Sequence, residues 1–243
     1  MIGSYPSSPF LRVTIQERDA SEDVFFARKE NTWVRVNDDA TNNEFMGMVA
    51  APGATPSALQ HCEGPKCRSA FTLRNVGSNT PIADFASVCP KASCTAMATS
   101  MTGPAEGFVL VRIESGRGSH KHLDVDSGAP ASFEVIRFSG SKPPVRQKLA
   151  RTASGYFDSD PLQAISATNA YVTLHMEPRN VIFRFDGTQW KPITLPTKEF
   201  NVLSLHVAAD GGAYVQVNGD GSDIELWRYD PKGRWSFEKL PGN

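Results

Sequence analysis

The densest group of side chains able to do chemistry lies in Glu114-Ser-Gly-Arg-Gly-Ser-His-Lys-His-Leu-Asp-Val-Asp-Ser-Gly-Ala-Pro130. His120 and His122 stand two residues apart, so in an extended segment both imidazoles leave the same side and can chelate a metal. Asp124 or Asp126 would complete such a site, and Arg117 adds a cation beside it. Asp124-Val-Asp126-Ser-Gly128 also has the opening of a calcium loop, but lacks a third early carboxylate and the Glu at the twelfth position. The reading that outweighs calcium or zinc is an exposed, polar, Gly-rich loop with no resident cofactor.

The remaining candidates are more scattered. Asn218-Gly-Asp-Gly-Ser-Asp223 is a second acidic Gly-rich segment, read as a hairpin turn presenting Asp220. Glu177, beside His175, falls at a strand end, where both read as surface. Tyr156, with Phe157, lies in a connection that should leave its ring exposed. His206 falls on an apolar strand and is expected as a hydrogen-bonded core histidine, with a position lining an axial channel as the other option. No Gly-x-Ser-x-Gly elbow occurs, nor any phosphate-cradling or dinucleotide motif, so no residue is assigned a catalytic role.

Four cysteines form two pairs with four residues between the members of each: Cys62-Glu-Gly-Pro-Lys-Cys67 and Cys89-Pro-Lys-Ala-Ser-Cys94. Local disulfides, Cys62 to Cys67 and Cys89 to Cys94, are the favoured pairing. Each short loop would contribute roughly 2 kcal/mol in the chain-entropy model. A four-thiolate zinc site and free thiols are the competing readings. Disulfides point to an oxidising compartment: secreted, periplasmic or cell-surface.

Composition narrows the classes. Of 243 residues, 40% are hydrophobic and 21% charged, as in ordinary globular proteins. The formal net charge of −1 offers no basic field for nucleic acid or anionic membrane. No apolar run approaches the roughly 18 residues of a membrane-spanning helix, so no membrane insertion is expected. Met1 to Phe10 has neither a basic nor an apolar leader region, so an exported product would need a leader from elsewhere.

These candidates must be positioned by strands. Gly and Pro punctuate short runs of Val, Ile, Phe and Thr, and no helical periodicity outlasts two turns, which makes the class all-β. Val181-Ile-Phe-Arg-Phe-Asp-Gly-Thr-Gln-Trp190 reads as strand, Asp-Gly turn and strand, and Ile224-Glu-Leu-Trp-Arg-Tyr-Asp-Pro-Lys-Gly-Arg-Trp235 nearly repeats it. The strand arginines Arg28, Arg74, Arg137, Arg184 and Arg228 are spaced 46, 63, 47 and 44 residues apart. A period of 40–50 residues in an all-β chain is that of one four-stranded blade per repeat.

In this the chain resembles β-propeller repeat proteins, over most of its length. The Gly-His and Trp-Asp pairs of WD40 blades and the double Gly of kelch are absent. The Asp186-Gly-Thr-Gln-Trp190 turn resembles the Asp-box of sialidases, but its Asp and Gly adjoin and Arg184 stands where that motif has Ser. A hairpin turn whose Trp packs between blades fits the spacing better.

The resemblance implies one propeller-like domain over residues 1–243, with blades near 10–38, 44–87, 93–149, 161–196 and 201–241. Outermost strands are expected at Trp33–Val36, Pro81–Phe85, Val145–Leu149, Trp190–Leu195 and Trp235–Leu240. The first blade lacks a clear innermost strand. Either residues 1–10 supply a degenerate one that closes a five-bladed ring, or the chain is part of a larger propeller. A β-sandwich is the alternative architecture.

In a propeller, connections between second and third strands open on the same end as connections between blades. The segments carrying Cys62 and Cys67, Arg117 to Asp126, Glu177 and Asp220 are of the first kind, and those carrying Cys89 and Cys94, or Tyr156, are of the second. The expected function is therefore an extracytoplasmic binding module holding a protein or glycan at that end, rather than an enzyme. The alternative is a glycosidase-like propeller with carboxylates converging at the axial mouth.

Overall fold

The computed structural model describes residues 2–3, 10–17, 20–29, 32–35, 45–49, 57–62, 68–75, 80–90, 94–114, 131–140, 142–152, 161–176, 179–196, 201–218 and 224–238. Among them there are strands, turns and no helix. The first sheet comprises Ile2–Gly3 (β1), Phe10–Glu17 (β2), Ala20–Lys29 (β3) and Thr32–Arg35 (β4). The second holds Phe45–Val49 (β5), Ser57–His61 (β6) and Phe71–Asn75 (β7). The third holds Thr95–Gly103 (β8), Glu106–Glu114 (β9), Ala131–Ser139 (β10) and Lys142–Thr152 (β11). The fourth holds Leu162–Ser166 (β12), Asn169–Met176 (β13), Arg179–Phe185 (β14) and Trp190–Pro192 (β15). The fifth holds Asn201–Val207 (β16), Ala213–Asn218 (β17), Ile224–Tyr229 (β18) and Trp235–Glu238 (β19).

Every sheet is an antiparallel meander in sequence order. Neighbouring sheets meet through their first strands, β8 against β12 and β12 against β16, with β5 and β6 against β8. The fold is a β-propeller type, whose sheets, among the described residues, do not close into a ring. The five arginines that set the period, Arg28, Arg74, Arg137, Arg184 and Arg228, all fall on third strands.

One feature differs from expectation, and one alternative left open by the sequence is met. The second sheet is three-stranded among the described residues: Pro81–Phe85 makes only an isolated bridge, Arg74 with Pro81. Pro81 has no N–H for a ladder, and the chain then winds into turns, with Val88 and Cys89 both donating to the Phe85 carbonyl. At the other end, β1 does supply an inner strand to the first sheet, pairing Ile2 with Leu11.

The core lies in the seams between sheets. Alternating burial along β10 and β17 reflects the two-residue period of strands that face a neighbour on each side. Phe71, Leu73, Phe85, Val109, Ile136 and Phe138 fill the seam between the second and third sheets. Phe108, Phe133, Val172, Phe183 and Phe185 fill the next. Tyr171, Ile182, Val202, Val215 and Val217 fill the last. Trp190 packs in the middle seam, its ring 5.2 Å from Phe185 and 6.0 Å from Phe108. The Asp186-Gly-Thr-Gln-Trp190 hairpin is therefore an element of packing.

Candidate ligand-binding end of the sheets

Because consecutive strands are antiparallel, connections alternate between the two ends of each sheet. First-to-second and third-to-fourth connections share one end, and in the third, fourth and fifth sheets these are tight. Asp186 Oδ1 accepts from the backbone N–H of Thr188 and of Gln189, each at 3.0 Å, and from the Thr188 hydroxyl at 2.7 Å. Lys191 Nζ lies 2.8 Å from its other oxygen. The Lys191 ammonium, then the Gln189 and Thr188 donors, hold the Asp186 carboxyl far below the usual carboxylate range. Asp230 closes the equivalent turn of the fifth sheet, and the Arg234 backbone N–H is the main cause of its lowered pKa. Gly187, at φ 99°, supplies a left-handed residue that a side chain would strain.

Turns at this end also accept side-chain hydrogen bonds across the seams. Tyr171 Oη and Asn169 Nδ2 both donate to the Gly211 carbonyl, at 2.8 and 2.9 Å. Arg184 Nη1 donates to the Pro231 carbonyl at 3.0 Å, and Gln147 Nε2 to the Thr188 carbonyl at 2.8 Å.

Long connections such as 115–130 and 153–161 leave from the opposite end, beside the short links 177–178 and 219–223. Arg117, His120, His122, Asp124 and Asp126 fall between Glu114 of β9 and Ala131 of β10. Glu177 joins β13 to β14, Asp220 joins β17 to β18, and Tyr156 lies between β11 and β12. All eight residues lie outside the described residues, as does Cys67. Among the described residues no group of three or more His, Cys, Asp or Glu stands together.

The described residues below this end form a framework. His175 Nδ1 and Asn180 Oδ1 are 2.5 Å apart, and Asn180 Nδ2 reaches the Val202 carbonyl of the next sheet, also at 2.5 Å. The pair flanks the Glu177 turn directly, because His175 is opposite Asn180 and Met176 opposite Arg179. His175 is thus half-buried in a network, not a bare surface residue as its sequence position suggests. His206 departs in the other direction: it is exposed on β16 rather than buried in a core.

Cys89 and Cys94 are joined, with Cα atoms 5.8 Å apart. Cys62 is disulfide-bonded too. Joined sulfurs are not thiolates, which a four-cysteine zinc site would require. The Cys89 carbonyl accepts from Ala70 N–H at 3.1 Å, and both Cys89 and Cys94 are buried in the seam between the second and third sheets. This bond secures the connection between those sheets at its root.

Polar side chains that sequence reasoning passed over hold the seams together. Ala164 N–H donates to Ser100 Oγ at 2.9 Å. Gln163 Nε2 donates to the Leu205 carbonyl at 2.6 Å, while its Oε1 accepts from Val207 N–H at 3.0 Å. No sequence signal sets these residues apart: β8 carries Thr95, Thr99 and Thr102 beside Ser100, and β12 carries Ser166 beside Gln163.

No protein-family model matches the chain, and no curated protein sequence matches it. Solved structures do. Prolyl oligopeptidase B from Galerina marginata, bound to a 35mer hydrolysis and macrocyclization substrate, superposes with a TM-score of 0.58 at 9% identity, over 100% of this chain and 35% of that one. A puromycin hydrolase superposes with a TM-score of 0.56 at 10% identity, over 98% of this chain and 39% of that one. Both likenesses are of fold. This chain spans little more than a third of either protein. The class defined by sheets and comparisons together is the all-β, propeller-type protein.

Proposed function

We propose that this protein is an extracytoplasmic binding module that holds a protein or glycan ligand at the long-connection end of its sheets. The observation that carries the reading is the asymmetry between the two ends. One end is closed in the fourth and fifth sheets by Asp-anchored turns that accept hydrogen bonds from strand side chains of the preceding sheet. The other bears every long connection between β6 and β18, rooted on a rigid framework of strands and the Cys89–Cys94 bond. Arg117, His120, His122, Asp124, Asp126, Tyr156, Glu177 and Asp220 supply charge, hydrogen-bonding capacity and an aromatic surface there. The disulfide supports an oxidising location: secreted, periplasmic or on the cell surface.

A binding role is favoured over glycoside hydrolysis because the inner strands β5, β8, β12 and β16 contain no Asp or Glu. An acid–base pair at the axial mouth would have to come entirely from the connections. The test is a glycan array and a panel of extracellular-matrix and cell-surface proteins probed with purified protein. The expected result is a hit that the Asp124→Ala/Tyr156→Ala variant loses without a change in melting temperature. No binding in either format, or binding indifferent to the variant, overturns the reading, and glycosidic turnover of a hit would favour the enzyme instead.

A further inference from the structure

The last strand of an open sheet offers unpaired N–H and C=O groups to any extended segment that reaches it, and short edge strands limit that exposure. Three of the four-stranded sheets end in this way: β4, β15 and β19 run four, three and four residues. The third sheet does not. Its last strand, β11, runs 11 residues and pairs, among the described residues, with β10 alone.

The middle of β11 is ordered from both flanks. Between two register shifts its ladder runs unbroken from Val145 opposite Arg137 to Lys148 opposite Glu134. Arg146 Nη1 donates to the Val88 carbonyl at 2.7 Å, on the side of the second sheet, and its Nε lies 2.9 Å from Glu134. Gln147 Nε2 donates to the Thr188 carbonyl of the fourth sheet at 2.8 Å. An arriving strand would therefore meet an edge that is already in place, which lowers the ordering cost of binding.

Charge selects the occupant. β11 carries Lys142, Arg146, Lys148 and Arg151 and no Asp or Glu. Arg146 is already spent on Glu134, but Lys142 and Lys148 are exposed and make no ion pair among the described residues. Val145, between them, is 56% exposed. The same strand of a second copy would set cation against cation, and Pro143 and Pro144 withhold two N–H groups from one end of the edge. A segment bearing Asp or Glu gains charge pairs as well as ladder bonds.

We propose that the outer edge of β11 is a strand-addition site for an extended acidic segment of a partner protein, its backbone pairing along Val145–Lys148 and its carboxylates meeting Lys142 and Lys148. The site is on the third sheet's outermost strand and does not depend on a ligand at the long-connection end. Fluorescence anisotropy tests it with the intact chain and a labelled peptide alternating valine with glutamate. That peptide should bind, and its valine–lysine counterpart should not. Lys142→Glu and, independently, Lys148→Glu should each weaken binding about tenfold while melting temperature holds. Lys232→Glu, the same charge change on an exposed turn of the fifth sheet, should leave binding intact, as should Asp124→Ala/Tyr156→Ala. Binding should also slow amide exchange in β11, and a fully N-methylated version of the peptide, which cannot donate to the edge, should lose affinity. No binding by the acidic peptide overturns the proposal. Equal binding of the N-methylated peptide, which reports charge attraction without strand pairing, also overturns it, as does exchange protection confined to other strands.

Discussion

Gln163 lies across the backbone of Leu205 with both ends of its amide used: Nε2 donates to the Leu205 carbonyl at 2.6 Å and Oε1 accepts from Val207 N–H at 3.0 Å. One side chain thereby satisfies the exposed edge of β16 as a ladder strand would. Gln163→Ala should cost about 1–3 kcal/mol in urea unfolding, the range for leaving part-buried backbone groups unpaired. Gln163→Glu keeps the shape but sets a carboxylate against a carbonyl, and should cost at least as much.

Asn180 is the equivalent tie at the opposite end, linking His175 to the Val202 carbonyl while almost fully buried. Asn180→Ala should destabilise the fold by about 1–3 kcal/mol. Its local signature should be faster amide exchange at Met176 and Arg179, the residues that hold the Glu177 turn. Exchange in β9 and β10 should not change.

The Asp-anchored turns predict the acid limb of stability. The folded-state pKa of Asp186 is depressed by Lys191 and by the Gln189 and Thr188 donors, so its contribution is full above the unfolded-state value of about 4 and disappears as pH falls below it. Melting temperature should decline through that range. In Asp186→Asn the decline should be shallower, with a lower plateau at neutral pH.

Tyr171 governs the alkaline limb. Burial pushes its phenol up to about 12, with Arg184 acting in the opposite sense. A raised pKa means that its contribution is present below the unfolded value of about 10 and is lost as pH rises from there towards 12. Tyr171→Phe should flatten the loss of stability above pH 10. At neutral pH it should cost about 0.5–1.5 kcal/mol for the bond to Gly211.

Reduction of Cys89–Cys94 is expected to cost about 2 kcal/mol, since its members are only five residues apart. Mass measurement before and after reduction checks the bond, and the melting shift checks its contribution. The third and fourth sheets should be the last to lose exchange protection.

The repeat was legible because third strands carry it in residue types that survive averaging: an arginine, a flanking aromatic and a turn built on Asp or Gly. Positions such as Trp190 and Arg184 therefore reveal both period and strand. β6 was not legible, since Ser57-Ala-Leu-Gln-His61 has none of the β-branched or aromatic residues that mark a strand, and only packing on both faces makes it one. Pro81–Phe85 was misread in the opposite sense, because its apolar spacing is that of a strand while its proline withholds the ladder. The seam amides and hydroxyls were unreadable because their meaning depends on register: Gln163 matters only by lying opposite Tyr171 and beside β16. The candidate end was legible as a set of connections, and its geometry was not, because loop sequences without a metal or catalytic signature specify no unique arrangement.

The polar bonds that cross the seams share a grammar. A side chain on one sheet addresses the main chain of a neighbour: Gln163 with Leu205 and Val207, Asn180 with Val202, Arg184 with Pro231, Tyr171 with Gly211, and, in the reverse direction, Trp235 with Thr194. Every residue offers the same amide and carbonyl, so the receiving side places almost no demand on residue identity. Drift on that side is tolerated wherever the main chain keeps its place; Gly211, at φ 89° and with Asn169 Nδ2 2.5 Å from where a Cβ would sit, is the exception. A chain assembled this way can exchange nearly all of its letters and still stack, which is how 9–10% identity coexists with a shared arrangement of sheets.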